Sequence, residues 1–197
     1  MTGFDFKKDP IENFLTLYKE AQIKGIPDAN AMSLATVNKE NKPSVRIVLF
    51  KGMIRGGFSF FTNYSGRKAH DMDANKNVSV NFFWPHLDRQ VRIEGTVEKL
   101  TREESEAYFA SRPRLSQLGA WTSNQSEVLE SFNAFQTKFA AIEEKYKDQK
   151  VPCPPHWGGY RIEATEIEFW FGKNGRLHER YVYQRNGTSW KTFLRFP

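Results

Sequence analysis

Cysteine and long hydrophobic runs are scarce in this sequence of 197 residues. Cys153 is the only cysteine, which excludes an intrachain disulfide and favours a cytoplasmic protein. No stretch approaches the roughly 18 consecutive apolar residues that a membrane-spanning helix needs. Residues 1–9 lack the apolar core of a signal peptide, so we expect a cytoplasmic protein with no membrane contact.

Common catalytic motifs are absent as well. The sequence has no P-loop, no Gly-x-Gly-x-x-Gly fingerprint, no His-Glu-x-x-His pair and no Gly-x-Ser-x-Gly elbow. These absences argue against nucleotide hydrolysis, Rossmann-type hydride transfer, zinc proteolysis and serine hydrolysis. The four histidines have no histidine partner four residues away, which argues against a metal site. A redox cofactor that supplies its own chemistry fits this sequence better than a catalytic base does.

Aromatic and basic residues are abundant. The 17 Phe, 7 Tyr and 5 Trp predict an aromatic core, which suits sheets better than helical bundles. A net charge of +6 is compatible with nucleic acid, a membrane surface or a small phosphorylated ligand, and does not choose among them. Nothing resembles a linker, so we predict one domain over residues 1–197, with residues 1–8 as a flexible arm.

The spacing of apolar residues predicts an α+β protein that is mainly antiparallel sheet. Five strands are predicted early in the chain, at 32–37, 45–51, 58–63, 78–84 and 89–100, and such a series favours a small barrel. Later strands are predicted at 160–163 and 167–171, followed by a hairpin that turns at Asn186-Gly187. Helices are predicted from Asp9, from Thr101 and over 126–146, with a basic, proline-broken loop at 112–121. The apolar stripe of the 126–146 helix indicates core or a subunit contact.

Two stretches place cations where they are unfavourable without an anion. Ser65 is predicted to cap a short helix whose first turn carries Arg67 and Lys68, next to the positive end of the helix dipole. If residues 176–180 are extended, Arg176, His178 and Arg180 share one face. Spacing alone leaves a solvated edge strand and an anion site equally open for that second stretch.

Several other basic and polar residues lie at predicted strand ends and in loops. Together they would bind a phosphorylated ligand, or two, if they converged on one cleft, whereas the alternative is an ordinary scattered basic surface. The set comprises Arg46, Lys51, Arg67, Lys68, Arg112, Ser116, Gln125, Ser126, Arg176 and Arg180.

The sequence resembles the pyridoxine/pyridoxamine 5'-phosphate oxidases from about residue 9 to residue 197. The resemblance is carried by Ile167-Glu168-Phe169-Trp170 and Arg176-Leu177-His178-Glu179-Arg180. Further matches are Arg46-Ile47-Val48-Leu49-Phe50-Lys51, Phe61-Thr62-Asn63, Ser65-Gly66-Arg67-Lys68-Ala69-His70, Arg89-Gln90-Val91, Tyr108-Phe109-Ala110-Ser111-Arg112-Pro113, Ser116-Gln117-Leu118-Gly119-Ala120-Trp121 and Pro155-His156-Trp157-Gly158-Gly159.

This resemblance implies a split β-barrel that binds FMN, works as a homodimer with flavin at the subunit interface, and oxidises pyridoxine 5'-phosphate and pyridoxamine 5'-phosphate to pyridoxal 5'-phosphate. O2 would be the acceptor and H2O2 the second product. The FMN-binding residues would be Arg46, Ile47, Val48, Leu49, Lys51, Phe61, Thr62, Arg67, Lys68, Gln90, Gln125, Ser126, Trp170 and Arg180. The substrate would be bound by Lys51, Tyr108, Arg112, Ser116, Arg176 and His178, the last two also being catalytic.

Two departures from the family pattern and three rival functions accompany this prediction. Phe171 follows Trp170 where the family more often has a small or polar residue, and the segment before Asp9 is short for a substrate-covering arm. The rivals are a phenazine-biosynthesis-type oxidase on the same fold, a non-catalytic carrier of FMN or pyridoxal phosphate, and a basic nucleic-acid binder. A nucleic-acid binder would need exposed strands with interleaved aromatic residues, and its affinity would depend steeply on salt concentration. We predict that the protein does not bind nucleic acid.

Overall fold

The computed structural model describes residues 3–197, and within them lie five α-helices and nine strands. The helices are α1 (Pro10–Ile23), α2 (Arg67–Ala74), α3 (Arg102–Ser111), α4 (Arg114–Thr122) and α5 (Phe132–Lys145). The strands are β1 (Ala31–Val37), β2 (Pro43–Leu49), β3 (Met53–Ile54), β4 (Gly57–Asn63), β5 (Asn77–Trp84), β6 (Arg89–Lys99), β7 (Trp157–Phe171), β8 (Glu179–Asn186) and β9 (Ser189–Leu194).

The strands form one antiparallel sheet, as predicted. Its order is β2-β1-β5-β6-β7-β4-β3, and β8 pairs with β7 and with β9. The sheet curls so that the chain just after β2 meets β4, where the Lys51 amide donates to the Ser59 carbonyl and the Ser59 amide to the Gly52 carbonyl. β2 and β4 are not paired along their length, so the barrel stays open on this side.

Strand β7 is the longest element of the sheet and joins its two halves. Its first half pairs with β4, from Phe58↔Ile162 to Asn63↔Trp157, and its second half pairs with β8. The prediction of two separate strands over 160–171 was wrong, because an irregularity opposite Glu94 and Gly95 absorbs the extra residue without ending the strand. A side chain at Gly95 would collide with the Glu163 backbone, so the close approach requires glycine.

The core is aromatic, as the composition predicted. Phe14 of α1 is fully buried and contacts Phe50, Phe58, Phe82 and Trp84. Each fully buried aromatic side chain of this kind stabilises the fold by roughly 1.5–3 kcal/mol. Helix α1 begins as predicted, since the Asp9 carboxylate accepts hydrogen bonds from two amides of the first turn.

The segment between β6 and β7 differs most from its prediction. Residues predicted as a proline-broken loop form helix α4, because Pro113 lies at the start of the helix, where a proline costs no hydrogen bond. Helix α5 begins only at Phe132, capped by the Ser131 hydroxyl, rather than at 126. Phe139 and Ile142 pack against a second small core, whereas Phe132 is 77% exposed, so the predicted apolar stripe is only partly covered.

The N-terminal segment lies along strands β7 and β8. Phe4 contacts Phe169 and Tyr181, and the Tyr183 hydroxyl donates to the Phe6 carbonyl. Residues 1 and 2 of the predicted arm are outside the described residues. Its flexibility stays a prediction, since contacts do not report motion.

Candidate active site

A cavity of about 890 Å³ opens between β2, β4, α3, α4 and the start of β7. This volume is in the range of ordinary ligand pockets. It brings together most residues predicted to bind FMN or substrate, namely Arg46, Ile47, Val48, Leu49, Lys51, Phe61, Thr62, Lys68, Tyr108, Arg112, Ser116 and Gln125. Lining residues that the prediction missed are Asn63, Ser111, Pro113, Gly119, Ala120, Ser123 and Trp157.

The N-terminus of α2 is built to receive an anion. Its N-cap is Gly66, not Ser65 as predicted, and no side chain caps the helix. A Cβ at Gly66 would lie 2.9 Å from the Gln125 side-chain oxygen, so a larger residue here would displace the end of the Gln125 side chain. The first turn holds no acidic residue but does hold Arg67 and Lys68. Free amide groups, the helix dipole and two cations therefore favour a bound negative charge here.

Lys68 is buried at this helix start and faces the cavity. Its Nζ donates to Thr62 Oγ1 at 3.0 Å and to Gln125 Oε1 at 2.6 Å. Burial, and after it the charge of Arg46, lowers the pKa of Lys68. An anionic ligand would oppose both effects, since it would favour the protonated amine. Gln125 thus lies at the site, whereas its neighbour Ser126 lines a second, smaller pocket of about 380 Å³ that Gln125 also borders.

Arg46 lies beside this site on β2 and is held by side chains that sequence reasoning missed. Its Nη1 donates to Thr36 Oγ1 at 2.6 Å and to the Leu34 carbonyl at 3.1 Å, and its Nη2 lies 3.7 Å from Asp71 Oδ2. Burial lowers the pKa of Arg46, Asp71 raises it and Arg67 lowers it. Arg67 itself is exposed and does not line the cavity.

Arg112, which follows α3, lines the cavity wall formed by α3 and α4 and has no acidic partner among residues 3–197. Its guanidinium stacks on Trp157, 4.6 Å from the ring centroid, and its buried Nη1 has no hydrogen-bond partner. Burial lowers the pKa of Arg112. An unpaired buried donor is unfavourable, and a phosphate oxygen in the cavity would satisfy it. Tyr108 stacks on Phe61 at 3.8 Å beside this wall.

The remaining predicted residues form a strand-end cluster: Gln90, Trp170, His178 and Arg180. Gln90 pairs with Trp170 across β6 and β7, and Trp170 pairs with Arg180 across β7 and β8. The His178 ring packs on Trp170 with centroids 4.6 Å apart. None of the four lines the cavity. Trp170 lies 13 residues beyond Trp157 on β7, or roughly 40 Å along an extended strand.

The stretch 176–178 is not extended, so the predicted shared face of Arg176, His178 and Arg180 was wrong. Gly175 and Arg176 both have positive φ, 67° and 61°, and turn the chain before β8 begins at Glu179. Arg176 is therefore exposed in a tight turn. His178 Nδ1 accepts a hydrogen bond from the Lys173 amide at 3.1 Å, which places the proton of the neutral ring on Nε2.

Arg180 is anchored by Glu168, a buried carboxylate that the prediction did not use. Its Nε and Nη2 bind the two Glu168 oxygens at 3.0 and 2.8 Å. Glu168 is 2% exposed and also binds Arg195 at 2.8 Å. The sequence did carry a signal, because an acid inside the apolar run 167–171 requires a cationic partner.

Within residues 3–197, the structure supports neither a metal site nor a membrane-spanning helix. No group of three potential ligands is arranged to hold a metal ion. No helix in this part of the chain has the length and apolarity to cross a bilayer. Cys153 is buried, and burial raises the pKa of its thiol, which is typical of an unreactive, structural cysteine.

Known families and structures resemble this chain over nearly its whole length. A family model described as pyridoxamine 5'-phosphate oxidase matches residues 19–146, and one described as the pyridoxine 5'-phosphate oxidase C-terminal dimerisation region matches residues 157–197. A pyridoxine/pyridoxamine 5'-phosphate oxidase of Bdellovibrio bacteriovorus is 52% identical, covering 98% of this chain and 100% of that one. One of Rubrobacter xylanophilus is 48% identical, covering 93% and 84%.

Among solved structures, PhzG from Burkholderia lata 383 in complex with tetrahydrophenazine-1-carboxylic acid superposes with a TM-score of 0.91 at 27% identity, covering 96% of this chain and 93% of that one. A pyridoxamine 5'-phosphate oxidase-related, FMN binding protein from Nostoc punctiforme has a TM-score of 0.78 at 16% identity, covering 97% and 100%. The second likeness concerns the fold alone.

Proposed function

The chain belongs to the pyridoxamine 5'-phosphate oxidase family, and we propose that it oxidises pyridoxine 5'-phosphate and pyridoxamine 5'-phosphate to pyridoxal 5'-phosphate with FMN as its cofactor. The observation that carries this proposal is a single cavity with two separate places for an anion. One is the acid-free start of α2, and the other is the unpaired guanidinium of Arg112. A flavin phosphate and a vitamin phosphate would fill them.

The residues at the α2 side fit FMN. Arg67 and Lys68 would bind its phosphate together with the open amide groups of the first turn, and Arg46 would bind the nucleotide from β2. Thr62 and Gln125 already contact Lys68 and would complete this wall. When bound, FMN supplies the two-electron acceptor and passes the electrons to O2, giving H2O2.

The residues at the wall formed by α3 and α4 fit a phosphorylated substrate. Arg112 would donate to its phosphate, with Lys51, Tyr108 and Ser116 around it. Stacking on Trp157 restricts the Arg112 side chain before the ligand arrives, which reduces the entropy lost on binding. The reacting carbon would then be fixed relative to the flavin by two anchored phosphates.

Arg176 and His178 would act on the substrate at its reacting C4' group. His178 carries its proton on Nε2 when neutral, so it can donate a hydrogen bond to the C4' oxygen or nitrogen. The exposed Arg176 would contact the same group and take part with His178 in moving its proton. Neither residue lines the cavity, since His178 belongs to the strand-end cluster and Arg176 lies in the turn just before it in sequence, so the site needs a second source for them.

A homodimer would supply that source, with the strand-end cluster of one chain closing the cavity of the other. The model described as a dimerisation region covers residues 157–197, which include the whole cluster except Gln90. The outer face of edge strand β2 is apolar and exposed at Val45, Ile47 and Leu49, and the latter two line the cavity. Exposed apolar surface at the rim of a polar cavity is typical of a subunit contact.

Complementation between two variants tests the shared site. Lys68→Ala damages the cavity, and Trp170→Ala damages the strand-end cluster. In a heterodimer of the two, one site carries both changes and the other carries neither. A statistical equal mixture should therefore regain about one quarter of the wild-type activity, since half the dimers have one intact site of two. Mixtures as inactive as the separate variants would show that each site is built within one chain.

The proposed reaction is tested on the purified protein. We expect a yellow protein that releases FMN on denaturation and produces H2O2 and pyridoxal 5'-phosphate from either phosphorylated vitamer. Flavin without turnover would favour a non-catalytic carrier. Turnover of a reduced phenazine carboxylic acid instead would favour the phenazine-type oxidase, the candidate that the 0.91 TM-score to PhzG supports. Cytoplasmic location stays a prediction, which fractionation of the source cells would check.

A further inference from the structure

Two buried residues, Thr36 of β1 and Asp71 of α2, meet behind Arg46. Thr36 Oγ1 donates to Asp71 Oδ2 at 2.7 Å and accepts from Arg46 Nη1 at 2.6 Å. Thr36 is 1% and Asp71 4% exposed, so water does not compete for these contacts. The Thr36 hydroxyl therefore accepts from the guanidinium and donates to the carboxylate, and these roles cannot be exchanged because a guanidinium has no acceptor.

Arg46 requires such support because its surroundings are positively charged. Lys68 and Arg67 both act on it electrostatically, and repulsion from them favours a guanidinium displaced toward solvent. The Arg46 side chain is nevertheless only 19% exposed. Asp71 is the acidic group within 4 Å of it in the described chain, and it offsets part of that repulsion.

The contacts leave part of the guanidinium available. Among the described residues, the hydrogen bonds of Arg46 use Nη1 alone, and Nη2 makes the longer ion pair of 3.7 Å. An arginine has five N–H donors in a fixed plane, so holding one nitrogen also sets the direction of the others. Arg46 lines the cavity, and its remaining donors can bind a ligand there.

We propose that Thr36 and Asp71 are positioning residues, which hold the Arg46 guanidinium at the cavity wall in the orientation that binds the flavin nucleotide. The inference rests on the proposed function, because FMN is the ligand in question. It assigns a role at the site to two residues that do not line the cavity.

The charge of Asp71 makes the proposal sharply testable. If Asp71 acted only through its negative charge, Asp71→Asn would remove a repulsion and FMN would bind more tightly. If Asp71 positions Arg46, the same change releases the guanidinium and FMN binds more weakly. The two effects have opposite signs, so the direction of the change in Kd separates them.

The experiment titrates apoprotein with FMN and follows the quenching of flavin fluorescence. We expect Asp71→Asn and Thr36→Val each to raise the Kd about tenfold, as is common for residues that orient a binding group. Thr36→Ser keeps the hydroxyl and should restore the wild-type Kd. Asp73→Asn is the matched control, since Asp73 lies on the same helix but pairs with Lys99 on the surface at 3.0 Å. It should change the Kd by less than about twofold.

A purely structural role is excluded by a double variant. In an Arg46→Ala background, Asp71→Asn should leave the Kd unchanged or lower it, because no guanidinium remains to be positioned. An equal weakening with and without Arg46, an unchanged Kd in both single variants, or tighter binding by Asp71→Asn would each overturn the inference. If Asp71→Asn does not fold, the Thr36→Val and Thr36→Ser pair decides alone. Wild-type protein that does not bind FMN would instead overturn the proposed function.

Discussion

Arg112 combines a buried, unpaired donor with a place in the wall of the cavity, and this combination predicts opposite effects on binding and stability. We consider Arg112→Met, which keeps an unbranched side chain against Trp157 but removes the charge and all donors. The variant should bind the phosphorylated substrate more weakly and yet fold at least as stably as the wild type without ligand. Residues kept for binding at the expense of stability behave in this way.

The magnitudes follow from the contacts of Arg112. A hydrogen bond to a charged group contributes about 1.5–3 kcal/mol, so losing one to the substrate phosphate should raise KM by about 10–150-fold. In the free protein, an unpaired buried donor costs about 1–3 kcal/mol, while the stacking on Trp157 contributes about 0.5–1 kcal/mol. The net change is a gain of about 0–2.5 kcal/mol, or a rise in Tm of about 0–10 °C for a chain of this size.

Arg114 provides the control for the same substitution. It lies two residues away but donates to the backbone carbonyls of Tyr146, Lys147 and Gln149 after α5, outside the cavity. Arg114→Met should lower Tm and leave KM unchanged. KM is measured from H2O2 production with pyridoxine 5'-phosphate, and Tm by calorimetry on apoprotein. A KM within about threefold of wild type, or a Tm lowered by more than about 5 °C, in Arg112→Met would refute the reasoning.

Three further predictions concern the α2 site, the anchor of the strand-end cluster and the reacting residues. The pKa of Lys68 is lowered, so the amine loses its proton as pH rises through that pKa. The affinity for FMN should then fall, while the apoprotein becomes more stable. Lys68→Met should abolish this alkaline decline in FMN affinity, measured by fluorescence titration. Glu168→Gln removes the buried counter-charge of Arg180 and should lower the free energy of unfolding, measured by urea denaturation, by about 3–5 kcal/mol, and a loss below about 1 kcal/mol would contradict the pairing. Arg176→Ala and His178→Ala should each keep FMN binding but lower kcat by about 100-fold or more, and undiminished turnover in both variants would contradict their role.

Periodicity predicted the sheet but not the segments that depend on contacts from elsewhere. The strands of the barrel and the hairpin at Asn186-Gly187 were identified because alternation and turn residues are local signals. Helix α4 was not predicted because a proline such as Pro113 can either interrupt a helix or begin one. Strand β7 was predicted as two strands because its own sequence does not show that it stays paired with β6 on both sides of the irregularity at Gly95.

The candidate site shows the same division. Local sequence identified the cations at the start of α2, and the family resemblance supplied the residues that line the cavity. Thr36 and Asp71 could not be found in this way, because their roles depend on contacts across 35 positions of the chain. Arg176 and His178 were given the wrong geometry because Arg176 continues the left-handed turn begun at Gly175, and a positive φ is uncommon for a residue other than glycine.

Charge pairing explains why some predicted cations bind ligands differently from others. Arg46 and Arg180 each have a carboxylate partner, Asp71 and Glu168. Such paired arginines offer direction more than net charge. Five cations of the predicted set have no acidic partner in residues 3–197, namely Lys51, Arg67, Lys68, Arg112 and Arg176, and the first four of these lie in or beside the cavity.

Two phosphate monoesters together carry about three to four negative charges at neutral pH. The four unpaired cations in or beside the cavity would balance that charge, so binding both ligands would leave the cavity close to neutral. Either ligand alone would leave excess positive charge near the other position. Each bound phosphate lowers the positive potential at the other position, so electrostatics alone should weaken the second binding step, and any tightening of substrate binding by FMN must come from direct contact between the two ligands.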